Sequence, residues 1–331
     1  MGVPEQRIAA IVPCHNEAMS VAKVVHDLKA AVPGIAVYVY DNLSSDGTDR
    51  AAGQAGAIVR HEETKGKGNV LRRAFADVDA DVYVLVDGDD TYEAAAIPAM
   101  IERLLEGPYD HVLGVRETTS ASAYRRGHQV GNRALNELVS RLFGVPVTDM
   151  LSGCRVLSRR FVKSFPALSR EFEIETELTV HCVTLRVPTT EEPVAYRDRP
   201  EGSESKLSTY RDGFHILRRI LLLTRFERPI LFHGLLGTVV LGIALVLGIP
   251  VLLEFARTGL VPRFPTAFLS ASLVIVGLLG WAVGLVLDAI TMSRREAARL
   301  NYLRLAPPRT AEPTESRRAS EQPSIDVSAS R

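Results

Sequence analysis

Cysteine is scarce in this chain: three residues in 331, at positions 14, 154 and 182, an odd number with no C-x-x-C spacing. That excludes a disulfide framework and a cysteine-rich zinc site, and it suits a reducing compartment. Net charge is missing too. The 39 Lys and Arg balance 39 Asp and Glu, so no global field argues for nucleic acid as a partner. Two nucleotide-binding signatures are lacking. Without G-x-x-x-x-G-K-[ST] a P-loop NTPase is disfavoured, and without G-x-G-x-x-G after the first strand so is a dinucleotide dehydrogenase. Residues 1–7 carry no apolar run, so no secretory signal is expected. With 46% hydrophobic and 24% charged residues the composition is that of an ordinary globular chain of about two units.

The apolar residues are unevenly distributed. Two runs, 232–255 and 267–292, are almost free of charge. Each exceeds the ~20 residues that cross a ~30 Å hydrocarbon core as a helix. The short connection, 256–266, makes them a hairpin with both flanks on one side. Arg225, Arg228, Arg294, Arg295, Arg299 and Arg304 lie outside the hairpin, against Arg257 and Arg263 in its loop. This bias places the rest of the chain and both termini in the cytoplasm. The expected organisation is a cytoplasmic globular domain over 1–206, an amphipathic interfacial helix over 207–229, two transmembrane helices within 230–294, and a polar, largely disordered tail over 295–331.

The N-terminal two-thirds alternates short apolar runs with helical patterns. Strands are predicted over 7–13, 35–40, 57–60, 82–86 and 111–114, with helices between them. This is an α/β pattern: a mainly parallel sheet covered on both faces. Ligands of such sheets bind at the carboxyl ends of the strands, where polar residues collect here. Pro13-Cys14-His15-Asn16-Glu17 follows the first strand, Asp41–Thr48 the second and Asp87-Gly88-Asp89-Asp90-Thr91 the fourth. Three carboxylates within four residues repel one another unless a cation neutralises them. Hard oxygen donors favour Mg²⁺ or Mn²⁺, held together with substrate phosphates. Lys65-Gly66-Lys67-Gly68 can bring ammonium charge and backbone N–H groups to a phosphate at a helix N-terminus.

With Asp149-Met150-Leu151-Ser152-Gly153-Cys154-Arg155 and Arg199–Leu207, these motifs follow one another in an order that resembles glycosyltransferase family 2. Within it the chain is similar to the polyprenyl-phosphate glycosyltransferases typified by dolichyl-phosphate mannose synthase. The resemblance covers residues 7 to about 210. It implies a GT-A fold, Rossmann-like, followed by the transmembrane hairpin. It also implies inverting transfer of one sugar from a UDP- or GDP-linked donor to polyprenyl phosphate, assisted by Mg²⁺ or Mn²⁺. The implied donor site is Pro13, Asn16, Glu17, Asp41, Asp46, Lys67, Asp87 and Gly88, with Asp87 and Asp89 on the metal. The implied catalytic group is Asp89, Asp149, Arg155 and Glu173, and the acceptor phosphate falls to Arg116, Ser152, Arg199, Ser205 and Lys206. Thr91 stands where the mannose synthases carry glutamine, leaving the third metal ligand open among Asp90, Thr91 and water. Cys154 stands where an aromatic is usual, so mannose is not carried over as the sugar.

Physical chemistry fits this expectation. A phosphate-monoester acceptor is already anionic and needs no strong general base. The partners are then a nucleotide sugar, polyprenyl phosphate and the bilayer, with no nucleic acid; oligomeric state is left open. Two rivals differ in class. A processive polysaccharide synthase carries Q-x-x-R-W, whereas the single tryptophan here, Trp281, lies within an apolar run. A non-catalytic membrane adaptor has no need of the acidic clusters.

Overall fold

The computed structural model describes residues 6–118, 137, 140, 148–167, 173–197, 225–226 and 228–308. Arg199, Ser205 and Lys206, most of the expected interfacial helix and the tail beyond 308 lie outside these residues, as does the side chain of Glu173.

The first half of the chain builds β1 (Ile8–Cys14), α1 (Val21–Ala31), β2 (Ala36–Asp41), α2 (Thr48–Gln54), β3 (Ile58–His61), α3 (Lys67–Asp77), β4 (Val82–Leu85), α4 (Ile97–Glu106) and β5 (His111–Thr118). Each strand predicted from the sequence is present within a few residues of its expected bounds. Hydrophobic spacing explains the helices: α1 buries Val21, Val24, Val25 and Leu28, the i, i+3, i+4, i+7 face of an amphipathic helix. Each such side chain contributes about 1.5–3 kcal/mol on burial. β1 and β4 are buried almost throughout, as strands covered on both faces must be.

Two strands were not anticipated, β6 (Arg155–Ser158) and β7 (Thr189–Tyr196). The sheet runs β3-β2-β1-β4-β6-β5-β7. β1 pairs in parallel with β2 and β4, whereas β6 is antiparallel to both β4 and β5. The sheet is therefore mostly parallel but mixed, as in GT-A folds. Between them run α5 (Arg159–Ser164) and α6 (Glu173–Leu185). One face packs Val12, Leu28, Val84, Ile97 and Met100; the other packs Ile11, Leu71, Phe75, Tyr83 and Phe161. β1, β2 and β4 all run the same way, but the strand order switches sides at β1, with β2 on one side and β4 on the other, so the loops after these three strands open one crevice.

The remaining elements are two long apolar helices, α7 (Pro229–Thr258) and α8 (Phe264–Leu303). Both are long and apolar enough to cross a membrane, and few residues of either are buried. Val246 is 72% exposed and Leu252 67%, so they are not core helices of a globular domain. They meet along small residues: a Cβ on Gly237 would lie 2.7 Å from the Gly277 carbonyl and 3.0 Å from Trp281. Ser270 Oγ donates to the Ala244 carbonyl at 2.9 Å. Close backbone approach of this kind is how apolar helices associate when lipid removes the hydrophobic drive.

The expected boundary at 294 is corrected, because α8 continues to Leu303. The reason is docking. Tyr302 is 2% exposed, and its hydroxyl donates to Asp110 Oδ2 at 2.6 Å. Asp110, fully buried, also accepts from Ser158 Oγ at 2.6 Å and from Arg160 Nε at 2.5 Å. The Arg160 guanidinium lies 4.7 Å from the centre of the Tyr302 ring, and Arg299 Nη1 donates to the Leu185 carbonyl at 2.8 Å. The end of α8 is thus part of the globular fold.

Gly237→Val is expected to destabilise the detergent-solubilised chain by about 1–3 kcal/mol, the cost of overpacking. Gly242→Val, which meets nothing within 4 Å, is expected to leave the thermal midpoint unchanged; equal midpoints for both variants would contradict this helix pairing.

Candidate active site

The loop after β2 holds the loop after β1. Asn16 adopts φ 57° and its Oδ1 accepts from the Ser45 N–H at 2.8 Å, while its own N–H donates to Ser44 Oγ. Asp46 accepts from the backbone of Ala18 and Thr48 and from the Thr48 hydroxyl at 2.6 Å. Burial works against its charge, yet these hydrogen bonds hold it below the ordinary carboxylate range. Asp46 thus braces the loop with both of its oxygens. Asp41 differs: it is 6% exposed, its Oδ2 accepts from the Ser44 N–H, and its buried Oδ1 has no partner.

Asn42 anchors the basic loop. Its amide donates to the carbonyls of Glu62 and Thr64, and its Oδ1 accepts from the Gly66 N–H at 2.7 Å. Gly66 has φ 126°, a conformation that favours glycine. This turn starts α3 and directs Lys67 inward. Lys67 bridges Asp87 and Glu175, its Nζ 2.6 Å from Glu175 Oε1. Burial opposes the ammonium charge, but the two carboxylates outweigh it and raise the lysine pKa.

Beside this bridge stand Glu17 and Asp89. Glu17 Oε2 is buried without a partner. Burial, then the charges of Asp89 and Asp87, push its carboxyl up to about 8. Gly88 and Gly153 permit the crowding: a side chain at Gly88 would strike Cys14 and Glu17, and one at Gly153 would strike the Asp87 carboxylate. Asp89 Oδ1 accepts from the Thr91 hydroxyl at 2.6 Å. Asp90, at φ 56°, pairs with Lys23 at 2.7 Å, which turns it away from the ligand position left open for it. Among the described residues no three His, Cys, Asp or Glu side chains converge enough to hold an ion by themselves. The donor chemistry nevertheless suits a hard cation, because Asp87, Asp89 and Glu175 crowd negative charge that Lys67 offsets only in part.

On the other wall Arg116 grips Asp149 with two bonds, Nε to Oδ2 at 2.7 Å and Nη2 to Oδ1 at 2.6 Å. Two residues of this wall lie deeper. Ser152 is fully buried and its hydroxyl donates to the Gly114 carbonyl at 2.5 Å, so it is not placed to meet an acceptor phosphate. Arg155 is also fully buried. Its guanidinium donates to the carbonyls of Ser152, Met150 and Glu175 and to Thr179 Oγ1. It organises the 149–155 turn and the first turns of α6; burial lowers its pKa. Glu175 is a residue of this helix that reaches the cluster, through Lys67; the side chain of Glu173 lies outside the described residues. Tyr92, not anticipated, accepts from the Gly153 N–H at 2.8 Å; a lone tyrosine near Asp89 gives no signal in sequence. Pro13 lies buried in β1, next to its last residue, Cys14, and pairs with Tyr40 of β2.

The sequence model described as "Glycosyl transferase family 2" matches residues 9–165. "Glycosyltransferase AglJ" of Haloferax volcanii is 36% identical over 233 residues, covering 70% of this chain and 76% of that protein. "Dolichyl-phosphate hexose transferase" of the same organism is 29% identical over 221 residues, covering 67% and 95%. Among solved structures, glucosyl-3-phosphoglycerate synthase from Mycobacterium tuberculosis, crystallised with Mn²⁺, UDP and glucosyl-3-phosphoglycerate, shares the fold. Its TM-score is 0.51 at 22% identity, with 66% of this chain and 80% of that one covered.

The raised carboxyl of Glu17 has a pH consequence. The folded state retains a proton that the unfolded chain loses near pH 4.5, so this residue makes stability fall as pH rises from about 4.5 to 8. Glu17→Gln is expected to flatten that fall. Melting of the metal-free chain between pH 5 and pH 8 should show the variant gaining on the order of 2 kcal/mol at the alkaline end; parallel curves would refute the assignment.

Proposed function

The chain belongs to glycosyl transferase family 2, and from that premise we propose that it moves a single sugar from a nucleoside-diphosphate sugar to a polyprenyl phosphate, with inversion, at the cytoplasmic face of a membrane. The carrying observation is the joining, in one chain, of a carboxylate cluster short of positive charge to two apolar helices that the fold leaves unburied. The dolichyl-phosphate name of one relative supports the acceptor class, and the arginine bias at the hairpin supports the face.

Asp87 and Asp89 would hold Mg²⁺ or Mn²⁺, which when bound neutralises the charge that builds on the departing diphosphate. The side chains do the rest. Asp41, with an unpartnered buried oxygen, accepts from a hydroxyl or N–H of the nucleoside. Lys67, already held at the cluster, supplies a fixed cation beside the diphosphate. Gly88 and Gly153 leave room for the donor against the carboxylates. Asp149, occupied by Arg116 through both oxygens, is a poor base, and its role is to hold the guanidinium toward the acceptor phosphate. Arg199, Ser205 and Lys206 complete the proposed acceptor set.

An acceptor phosphate oxygen attacks the anomeric carbon while the bond to the diphosphate oxygen breaks on the opposite face. One C–O bond forms, one breaks, and the electron pair leaves with the nucleoside diphosphate. Because the nucleophile arrives ionised, no proton has to be removed from it, and catalysis consists of positioning and charge stabilisation.

Membranes containing the chain, given labelled UDP- and GDP-sugars and polyprenyl phosphate, are expected to yield label in the organic extract. Chelation should abolish it, and Mg²⁺ or Mn²⁺ should restore it. Asp89→Ala should lower it at least about 100-fold, the scale for loss of a charge-stabilising group. Full activity in that variant would sink the metal assignment, and no turnover with any donor would favour the adaptor reading.

A further inference from the structure

Where α8 leaves its apolar run, it forms a groove of about 560 Å³ against the end of α6, within the ~300–1,000 Å³ of small-molecule sites. Leu185, Met292 and Leu300 supply apolar wall, and Arg186, Arg295 and Arg299 the charge, with Glu296 the one carboxylate in its lining. Met292 and Leu300 are exposed apolar residues, at 62% and 59%; the first closes the apolar run and the second lies about two turns beyond it. Thr184 Oγ1 is buried there without a partner. Both walls are fixed, since Arg299 donates to the Leu185 carbonyl and Tyr302 is locked on Asp110.

We infer that this groove binds the phosphate head of an anionic diacyl phospholipid, with the adjoining glycerol and upper acyl carbons against Met292 and Leu300. The inference rests on the reading that α7 and α8 cross the bilayer. Among the described lining residues three guanidiniums and one carboxylate favour an anion, and their place just past the apolar run puts that anion at headgroup depth. An unpartnered threonine hydroxyl adds a neutral donor for a phosphate oxygen. The site is separate from the reaction centre. α6 reaches the carboxylate cluster through Glu175 and the groove through Leu185, ten residues or about 15 Å along a helix. A phosphate held in the groove is therefore not the one that accepts the sugar. The bound lipid would instead fix the globular domain against the leaflet.

The full chain, purified in detergent, is offered equimolar phosphatidylglycerol and phosphatidylcholine, and retained lipid is read by native mass spectrometry. One phosphatidylglycerol per chain is expected. Retention should weaken about 30-fold in Arg186→Gln/Arg295→Gln, equivalent to about 2 kcal/mol at ~1 kcal/mol per charge near an anionic surface. Arg186→Lys/Arg295→Lys should retain the lipid, which separates lost charge from lost fold. Equal retention of the two lipids, unchanged retention in the Gln variant, or displacement by inorganic phosphate or by polyprenyl phosphate would overturn the inference. Flotation with liposomes separates the two readings. A chain that does not co-float overturns the membrane reading and the groove with it, whereas one that co-floats without retaining phosphatidylglycerol overturns the groove alone.

Discussion

A single buried ammonium holds the centre of this molecule together. Lys67 enters from the first turn of α3 and meets Asp87 from the end of β4 and Glu175 from α6. Three elements far apart in sequence are thus tied at one point, inside a group of carboxylates that would otherwise repel. Breaking a buried pair by removing one partner leaves an uncompensated charge and typically costs about 3–5 kcal/mol, so the arrangement resists drift. Its charge count is still unbalanced, because Glu17 and Asp89 share the neighbourhood. The folded chain accommodates the surplus by keeping Glu17 protonated well above the usual range. A site that stores excess negative charge in a crevice at strand ends is prepared for a cation and the phosphates that come with it.

The second wall obeys a different logic. Arg116 and Asp149 join through two bonds, and Arg155 behind them bonds to neutral oxygens and to the buried ring of His111. A guanidinium fully removed from water acts here as a splint, joining the turn before β6 to the start of α6. The turn and helix that deliver Asp149 and Glu175 are held by the same side chain.

What the sequence disclosed followed from the kind of signal each residue gives. β1, β2 and β4 were readable because strands buried on both faces are unbroken apolar runs, and Asp87 and Asp89 because carboxylates crowded after such a run demand an explanation. β6 and β7 were not. The former is four residues long, and the latter begins Thr-Thr-Glu-Glu, without the apolar run or alternation that marks a strand. Side-chain direction is what the sequence does not carry. Asp46, Ser152 and Arg155 have the chemistry of ligand contacts, and each turns that chemistry onto the protein's own backbone. Glu173 and Glu175 are two positions apart on a helix, a difference of about 200° in facing, and composition alone cannot choose between them. The extension of α8 to Leu303 was hidden for a related reason, since Arg299 and Tyr302 read as polar tail until Asp110 is seen beneath them.

That extension carries a mechanical consequence. α8 is one uninterrupted helix from Phe264 to Leu303, about 60 Å at 1.5 Å per residue, with its far end keyed into the globular domain by Tyr302. Such a helix behaves as a shaft with a fixed key, so the heading of the crevice is set by rotational phase as well as by height. One added residue between the apolar run and Tyr302 would swing the domain by about 100°, whereas four would bring it back to within about 40° and lift it by about 6 Å. Chain length at this joint is therefore constrained in steps of the helical repeat, even though the joint touches neither substrate.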